Sequence, residues 1–140
     1  MAGYETNLAS EFYILSVLHR LSIDATLTLG NKKSVDILVI RQAGDAVTVD
    51  VKGVAGKHDW PADNIRATPN HRHFIAFVSY EGAFPDPAIL PSVWIVPYED
   101  VAQFTKHYQG RKNVSRALLT KNGEAYRNAW CLLIKDADAL

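Results

Sequence analysis

Three ionisable residues interrupt two apolar runs of this chain, where charges are costly to bury. Asp36 lies inside the run 35–40, and Asp50 and Lys52 end the valine-rich run 47–52. An isolated carboxylate or ammonium in an apolar strand is strongly disfavoured, so such groups pair, shift their pKa or bind a metal. Two carboxylates with a lysine close behind them are suited to metal-assisted chemistry on a phosphate.

The metal that these residue types favour is magnesium. Mg²⁺ prefers oxygen ligands and is usually held by one or two carboxylates together with water and substrate phosphate. We expect Asp36 and Asp50 to supply the carboxylates and the backbone carbonyl of Val51 to add a third oxygen, with Mn²⁺ as a possible substitute. Lys52, on the same strand face as Asp50, would orient a water or neutralise charge on the phosphate.

A fourth candidate, Glu11, belongs to the first helix and lies beside or on its inward stripe. There it could bind a second metal or order a metal-bound water. The alternative is that Glu11 only favours the positive end of the helix dipole. The alternative for Asp36, Asp50 and Lys52 is a partly buried ion pair at the sheet edge. Counting Glu11, three carboxylates face one lysine, and this imbalance favours the metal site.

The elements that must position these residues follow from hydrophobic periodicity and turn residues. We predict a first helix, capped by Thr6 or Asn7, that ends at about Leu21. The remaining predictions are strands at 25–29, 34–40, 46–52, 73–80 and 92–96, a short crossover helix at 62–67, and helices at 97–108 and 123–134. This order predicts a single α/β or α+β domain over residues 1–140, with a central mixed five-stranded sheet flanked by helices.

The core predictions follow from the same patterns. The apolar stripe of the first helix is expected to be Leu8, Phe12, Leu15 and Leu18, and core positions are expected for Trp94, Trp130 and Cys131. Residues 42–45 form the turn of a hairpin between the second and third strands. One hairpin register brings Asp36 near Asp50, but other registers are also permitted.

The arrangement of these residues resembles the PD-(D/E)xK nuclease superfamily, which has the restriction-endonuclease-like fold. The resemblance rests on Glu11 in the first helix, Asp36 in the second strand and the Asp50-Val51-Lys52 tripeptide in the third. One departure is that Val35 stands where many members have proline. The resemblance implies a magnesium-dependent endonuclease with Asp36, Asp50 and Lys52 as catalytic residues and Glu11 as an auxiliary one. It also implies a nucleic-acid substrate, with DNA favoured, and specificity supplied by a homodimer or a partner.

Nucleic-acid contacts are predicted in the loop after the third strand and near the fourth. Lys57, His58 and Trp60 combine positive charge with an aromatic ring, as single-strand binders do, and Arg72 is a phosphate contact. For Trp60 itself, packing beneath its own loop is the favoured interpretation over base stacking. His71 and His73 have a metal-ligand spacing, but surface or phosphate-contacting histidines are the favoured interpretation over zinc.

A C-terminal basic cluster offers a second possible backbone-binding surface, with a solvated face as its alternative. Its members are Arg111, Lys112, Arg116, Lys121 and Arg127. Binding there would depend on salt.

Composition limits the function classes. The 140 residues contain 15 Lys+Arg and 15 Asp+Glu, so any nucleic-acid surface must be a local basic patch. The single cysteine rules out an internal disulfide, and neither a membrane span nor a signal peptide is predicted. We therefore expect a cytoplasmic protein without a membrane partner. The alternative functions are a catalytically silent nuclease-fold module that binds nucleic acid or a protein partner, and a structural domain with a buried ion-pair network.

Overall fold

The computed structural model describes residues 2–28, 36–65 and 72–135. A long helix, α1, opens the chain and two β-sheets follow it. The helices are α1 (Ala2–Arg20) and α2 (Arg116–Asn122), with short 3₁₀ helices at Tyr98–Phe104, Glu124–Tyr126 and Trp130–Leu133. The strands are β1 (Asp24–Leu27), β2 (Ile37–Ile40), β3 (Ala46–Val54), β4 (Trp60–Pro61), β5 (Arg72–Ser79), β6 (Ser92–Pro97), β7 (Thr105–Tyr108) and β8 (Arg111–Val114).

The main sheet has five strands in the order β1-β2-β3-β5-β6. The β3 and β5 strands are parallel, and every other neighbouring pair is antiparallel. The predicted mixed five-stranded sheet in an α+β fold is therefore confirmed. The β2–β3 hairpin turns at residues 41–45, where Gly44 adopts a φ of 91° that favours glycine.

One face of the main sheet packs against α1 and forms the first core. Ile14 and Leu18 of the helix are fully buried against β-branched residues such as Val47 and Val49. The helix begins at Ala2, earlier than predicted, and its inward stripe was wrong at Phe12, which is 52% exposed. The buried positions are spaced by four residues from Thr6 to Leu18, because the helix presents that row to the sheet.

The other face of the main sheet is covered by a second, three-stranded sheet in the order β4-β8-β7, by α2 and by the 3₁₀ helices Tyr98–Phe104 and Glu124–Tyr126. The residues buried between this face and its cover form the second core, in which Trp60 is fully buried against Phe77 and Trp94. The predicted helix 97–108 was wrong after Phe104, because Thr105–Tyr108 pairs with Arg111–Val114 as a hairpin. The two faces of the main sheet are thus covered differently, one by α1 and the short helix Trp130–Leu133 and the other by strands, short helices and loop residues.

The C-terminal segment is less regular than predicted. Ser115 caps α2 by accepting a hydrogen bond from the backbone of Leu118. The long helix expected over 123–134 was wrong, because Asn128 has a φ of 51° and its backbone N–H donates to Val93 of β6. Cys131 is exposed, so its predicted core position was wrong.

The crossover between β3 and β5 also differs from the prediction. Residues 62–65 form a turn rather than the start of a helix, and 66–67 lie outside the described residues. Within the described ranges, none of the helices is long and apolar enough to span a membrane.

Candidate active site

Asp36 and Asp50 lie on adjacent segments of the chain where the β2–β3 ladder ends. Asp36 immediately precedes β2, and its backbone N–H donates to the carbonyl of Val49 over 3.1 Å. Its carboxylate then continues the ladder, because Oδ2 accepts a hydrogen bond of 2.7 Å from the backbone N–H of Val51. The Asp36 carboxylate is thereby fixed against the residue that follows Asp50. The Val51 carbonyl points to this same edge, since the N–H and C=O of one strand residue share a side.

Asp50 and Lys52 share the face of β3 opposite to α1. Their register partners on β5 are Ile75 and Phe77, which belong to the second core. Asp50 is 7% exposed, so its carboxylate lies at the border of that core. Lys52 is half-buried, and its Nζ donates to Oδ1 of Asn64 over 3.1 Å. This amide is neutral, so the hydrogen bond positions the ammonium without neutralising its charge.

His73 is a member of the site that the sequence did not reveal. Its Nε2 lies 3.5 Å from Oδ2 of Asp50, and its Nδ1 lies 2.7 Å from the hydroxyl of Thr48. The ring is buried, and among the residues that the structure describes Nε2 has no hydrogen-bond partner. The prediction of a surface or phosphate-contacting histidine was wrong here. Parallel pairing of Thr48 with His73 creates this contact, and no local sequence signal encodes it.

Glu11 lies on the opposite side of β3. The helix contacts the strand at Gly53, where an added Cβ would lie 2.0 Å from Oγ of Ser10. Glu11 follows Ser10 and is half-buried. The place of Glu11 in the site stays a prediction.

The donor set fits a hard cation. Asp36, Asp50 and the Val51 carbonyl all offer oxygen atoms near the edge of β3, and oxygen is the ligand type that Mg²⁺ prefers, with water and phosphate completing its shell. Within the described ranges there is no cluster of three His, Cys, Asp or Glu side chains placed to bind a metal.

The predicted nucleic-acid contacts have different environments. Lys57 and His58 are exposed, and His58 lines a pocket of about 380 Å³ together with Lys52 and Asn64. Trp60 is fully buried, and its indole N–H donates to the carbonyl of Val78 over 3.0 Å. Base stacking by Trp60 therefore does not fit the structure, whereas the packing alternative does, because the ring holds the loop onto the second core.

Arg72 is half-buried at the start of β5. It donates to the carbonyl of Lys135 over 3.1 Å and lies over the ring of Phe74. His71 lies outside the described residues. Arg72 therefore binds the C-terminal segment in this structure.

The basic cluster divides into two classes. Arg116 is committed to the fold, since it pairs with Glu81 and donates to Ser79 over 2.7 Å. The other members are exposed, namely Arg111, Lys112, Lys121 and Arg127. Of these, Arg127 lies over the ring of Trp94.

Comparison with known proteins gives a likeness among solved structures. No family model matches the sequence, and no curated protein matches it. Among solved structures, the bacterial homing endonuclease I-Ssp6803I superposes with a TM-score of 0.57 over 92% of this chain and 88% of that one. The fold of this chain is similar to that of the protein described as a homing endonuclease. At 14% sequence identity the likeness establishes a nuclease-like fold alone.

Proposed function

We propose that this protein is a magnesium-dependent endonuclease of the PD-(D/E)xK type that hydrolyses phosphodiester bonds in DNA. The observation that carries the proposal is the Asp36 carboxylate bound to the Val51 N–H, between Asp50 and Lys52. The fold shared with a protein described as a homing endonuclease supports a nuclease-like function that acts on nucleic acid. Two independent features, the fold and the site residues, therefore favour the same reaction class.

Each residue of the site has a distinct part in this reaction. Asp36, Asp50 and the Val51 carbonyl would hold the metal, which when bound polarises the phosphate and lowers the pKa of a water. Lys52 places a positive charge where negative charge develops on the phosphate, and Asn64 fixes the position of that ammonium. Glu11 is assigned an auxiliary role at the edge of β3.

His73 and Thr48 act through Asp50 as positioning residues. The Thr48 hydroxyl lies 2.7 Å from Nδ1 of His73 and so fixes the ring, whose Nε2 then faces the Asp50 carboxylate. Groups that hold a metal-binding carboxylate in place commonly affect metal affinity by 10–100-fold. The site is thus supported from β5 as well as from β2.

The decisive experiment is cleavage of plasmid, branched and single-stranded DNA, and of RNA, with Mg²⁺ or Mn²⁺. We expect DNA cleavage by the wild type and a loss of at least about 100-fold in Asp36→Asn, Asp50→Asn and Lys52→Ala, since each removes a charge from the site. Asp24→Asn is the matched control, because Asp24 is exposed and pairs with Ile40 at the far end of β2. Its activity should equal that of the wild type.

Two outcomes would redirect the proposal. Unchanged activity in Asp50→Asn and Lys52→Ala, with unchanged melting temperatures, would contradict the assigned roles. A wild-type protein that binds DNA but cleaves no substrate with either metal would instead identify a catalytically silent nuclease-fold module. Size-exclusion chromatography with light scattering would test the homodimer that we expect to supply specificity.

A further inference from the structure

The β7–β8 hairpin is a two-stranded ribbon with an exposed tip at residues 108–111. Its strands pair from Thr105 with Val114 to Tyr108 with Arg111. The two residues between them, Gln109 and Gly110, have φ angles of 50° and 77°, as in the tight turns that suit twisted hairpins. The outer side of β8 is joined to the protein over residues 112–114, by pairing with β4 and by a backbone hydrogen bond from Ala62. The tip beyond them has two strands alone.

The ribbon concentrates positive charge in a chain whose net charge is zero. Residues 105–114 include Lys106, Arg111 and Lys112 and no acidic residue. All three side chains are exposed, and no ion pair among the described residues involves them. Tyr108, opposite Arg111 near the tip, is 69% exposed. The charge is therefore local and available to a polyanion.

The base of the ribbon is connected to the candidate active site through a short loop. The backbone N–H of Lys112 donates to Oδ1 of Asp63 over 2.9 Å, and its carbonyl accepts from Ala62 over 3.0 Å. The next residue in the loop, Asn64, accepts the hydrogen bond from Lys52. Val114 packs in the second core, on the face of the main sheet that carries Asp50 and Lys52. The ribbon is therefore attached on the same face of the main sheet that carries Asp50 and Lys52.

We propose that the β7–β8 ribbon enters the major groove of B-form duplex DNA and thereby places a backbone phosphate at the site, an inference that rests on the proposed nuclease function. The major groove of B-DNA is wide enough for a two-stranded β-ribbon. The major groove of A-form RNA is too narrow for side chains to read. Lys106, Arg111 and Lys112 neutralise phosphates that flank the groove, and Tyr108 at the tip reaches towards the bases.

The test is a binding titration in Ca²⁺ or EDTA, where cleavage is not being measured. Fluorescence anisotropy measures binding of a DNA duplex, the matching RNA duplex and single-stranded DNA at several salt concentrations. The DNA duplex is 30 bp long, which is about three helical turns. The ribbon variant is Lys106→Gln/Arg111→Gln/Lys112→Gln. The control is Arg20→Gln/Lys135→Glu, which lowers the net charge by the same three units at exposed positions outside the basic cluster.

We expect the wild type to prefer the DNA duplex and the ribbon variant to bind it at least about tenfold more weakly. The salt slope should fall by about one for each phosphate contact removed. The control variant should change affinity by less than about threefold, since a uniform net-charge effect is screened at distances beyond about 10 Å.

Equal losses in the ribbon and control variants, or a preference for the RNA duplex or single-stranded DNA, would overturn the ribbon proposal. Its failure is distinguishable from failure of the nuclease proposal. Asp50→Asn should lose cleavage while it retains duplex binding. Ribbon-dependent duplex binding by a wild type that cleaves nothing would contradict the nuclease assignment and leave the ribbon assignment standing.

Discussion

Gly53→Ala should disturb the contact between α1 and β3 that positions the helix beside the site. An added Cβ would lie 2.0 Å from Oγ of Ser10, 2.9 Å from its Cβ and 3.3 Å from the carbonyl of Thr6. Rotating the Ser10 hydroxyl relieves only the first of these contacts. The helix must therefore move away from the strand, and Glu11, the next residue, must move with it.

The expected cost is that of overpacking a well-filled core, about 1–3 kcal/mol of unfolding free energy. For a chain of this size that corresponds to a fall in melting temperature of roughly 3–12 °C. Urea denaturation followed by circular dichroism measures the free energy, and scanning calorimetry the temperature. Ser10→Gly should rescue part of the loss in the double variant, although glycine inside a helix itself costs about 1 kcal/mol.

Gly3→Ala supplies the control, since Gly3 lies in α1, the partner of β3 in this contact, and nothing lies within 4 Å of an added Cβ there. Alanine there should be neutral or stabilising by up to about 1 kcal/mol, because it restricts the unfolded chain. A Gly53→Ala variant as stable as the wild type, with no coupling to Ser10→Gly, would refute the close approach of α1 to β3.

Three further predictions concern individual side chains. Trp60→Ala should cost about 3–5 kcal/mol in urea denaturation, because the ring is fully buried. Burial and a hydrogen bond to Asp100 raise the pKa of Tyr126 to about 12. The protonated Tyr126 hydroxyl should therefore contribute its full share of the unfolding free energy below pH 10, and this share should be lost as the pH rises to 12. Tyr126→Phe should reduce this fall of the unfolding free energy with pH. His73→Ala should weaken Mn²⁺ binding by about 10–100-fold in calorimetry, since Asp50 loses its support.

Each of these predictions has a contrary result. A Trp60→Ala variant within 1 kcal/mol of the wild type would indicate an exposed ring, since deletion of a buried one costs more. The difference between the tyrosinate absorbance titrations of the wild type and Tyr126→Phe reports the ionisation of Tyr126. A midpoint near pH 10 in this difference would contradict the raised pKa. Unchanged Mn²⁺ affinity in a folded His73→Ala protein would show that the ring does not position Asp50.

The placement of Asp36 and Asp50 on adjacent segments was predictable from the sequence because it is local, and their role as metal ligands stays a prediction. Asp36 and Asp50 flank a short turn, so an antiparallel hairpin brings the end of β2 alongside β3, and only the register was undetermined. The contact of His73 with Thr48 and Asp50 depends on parallel pairing across a long crossover. Such pairing is fixed by packing of the whole sheet, which no motif in residues 53–71 encodes.

The β7–β8 hairpin and the face of α1 were mispredicted for related reasons. The periodicity after Pro97 favoured a helix to Tyr108, but pairing with β8 and burial of Val114 against Trp60 favour strands. In α1, the apolar residues that include Phe12 predicted an inward-facing stripe. Close packing of Ser10 over Gly53 sets the rotation of the helix instead, and Phe12 faces outward. In both cases tertiary contacts overrode local preference.

The metal site between Asp36 and Asp50 is the central claim, and anomalous diffraction from crystals soaked in Mn²⁺ tests it most directly. We predict an anomalous peak within about 2.5 Å of a carboxylate oxygen of each aspartate, a ligand distance suited to hard cations. The peak should be absent from Asp50→Asn crystals soaked in the same way. A wild-type crystal whose anomalous map shows manganese at other positions and none between these carboxylates would contradict the account.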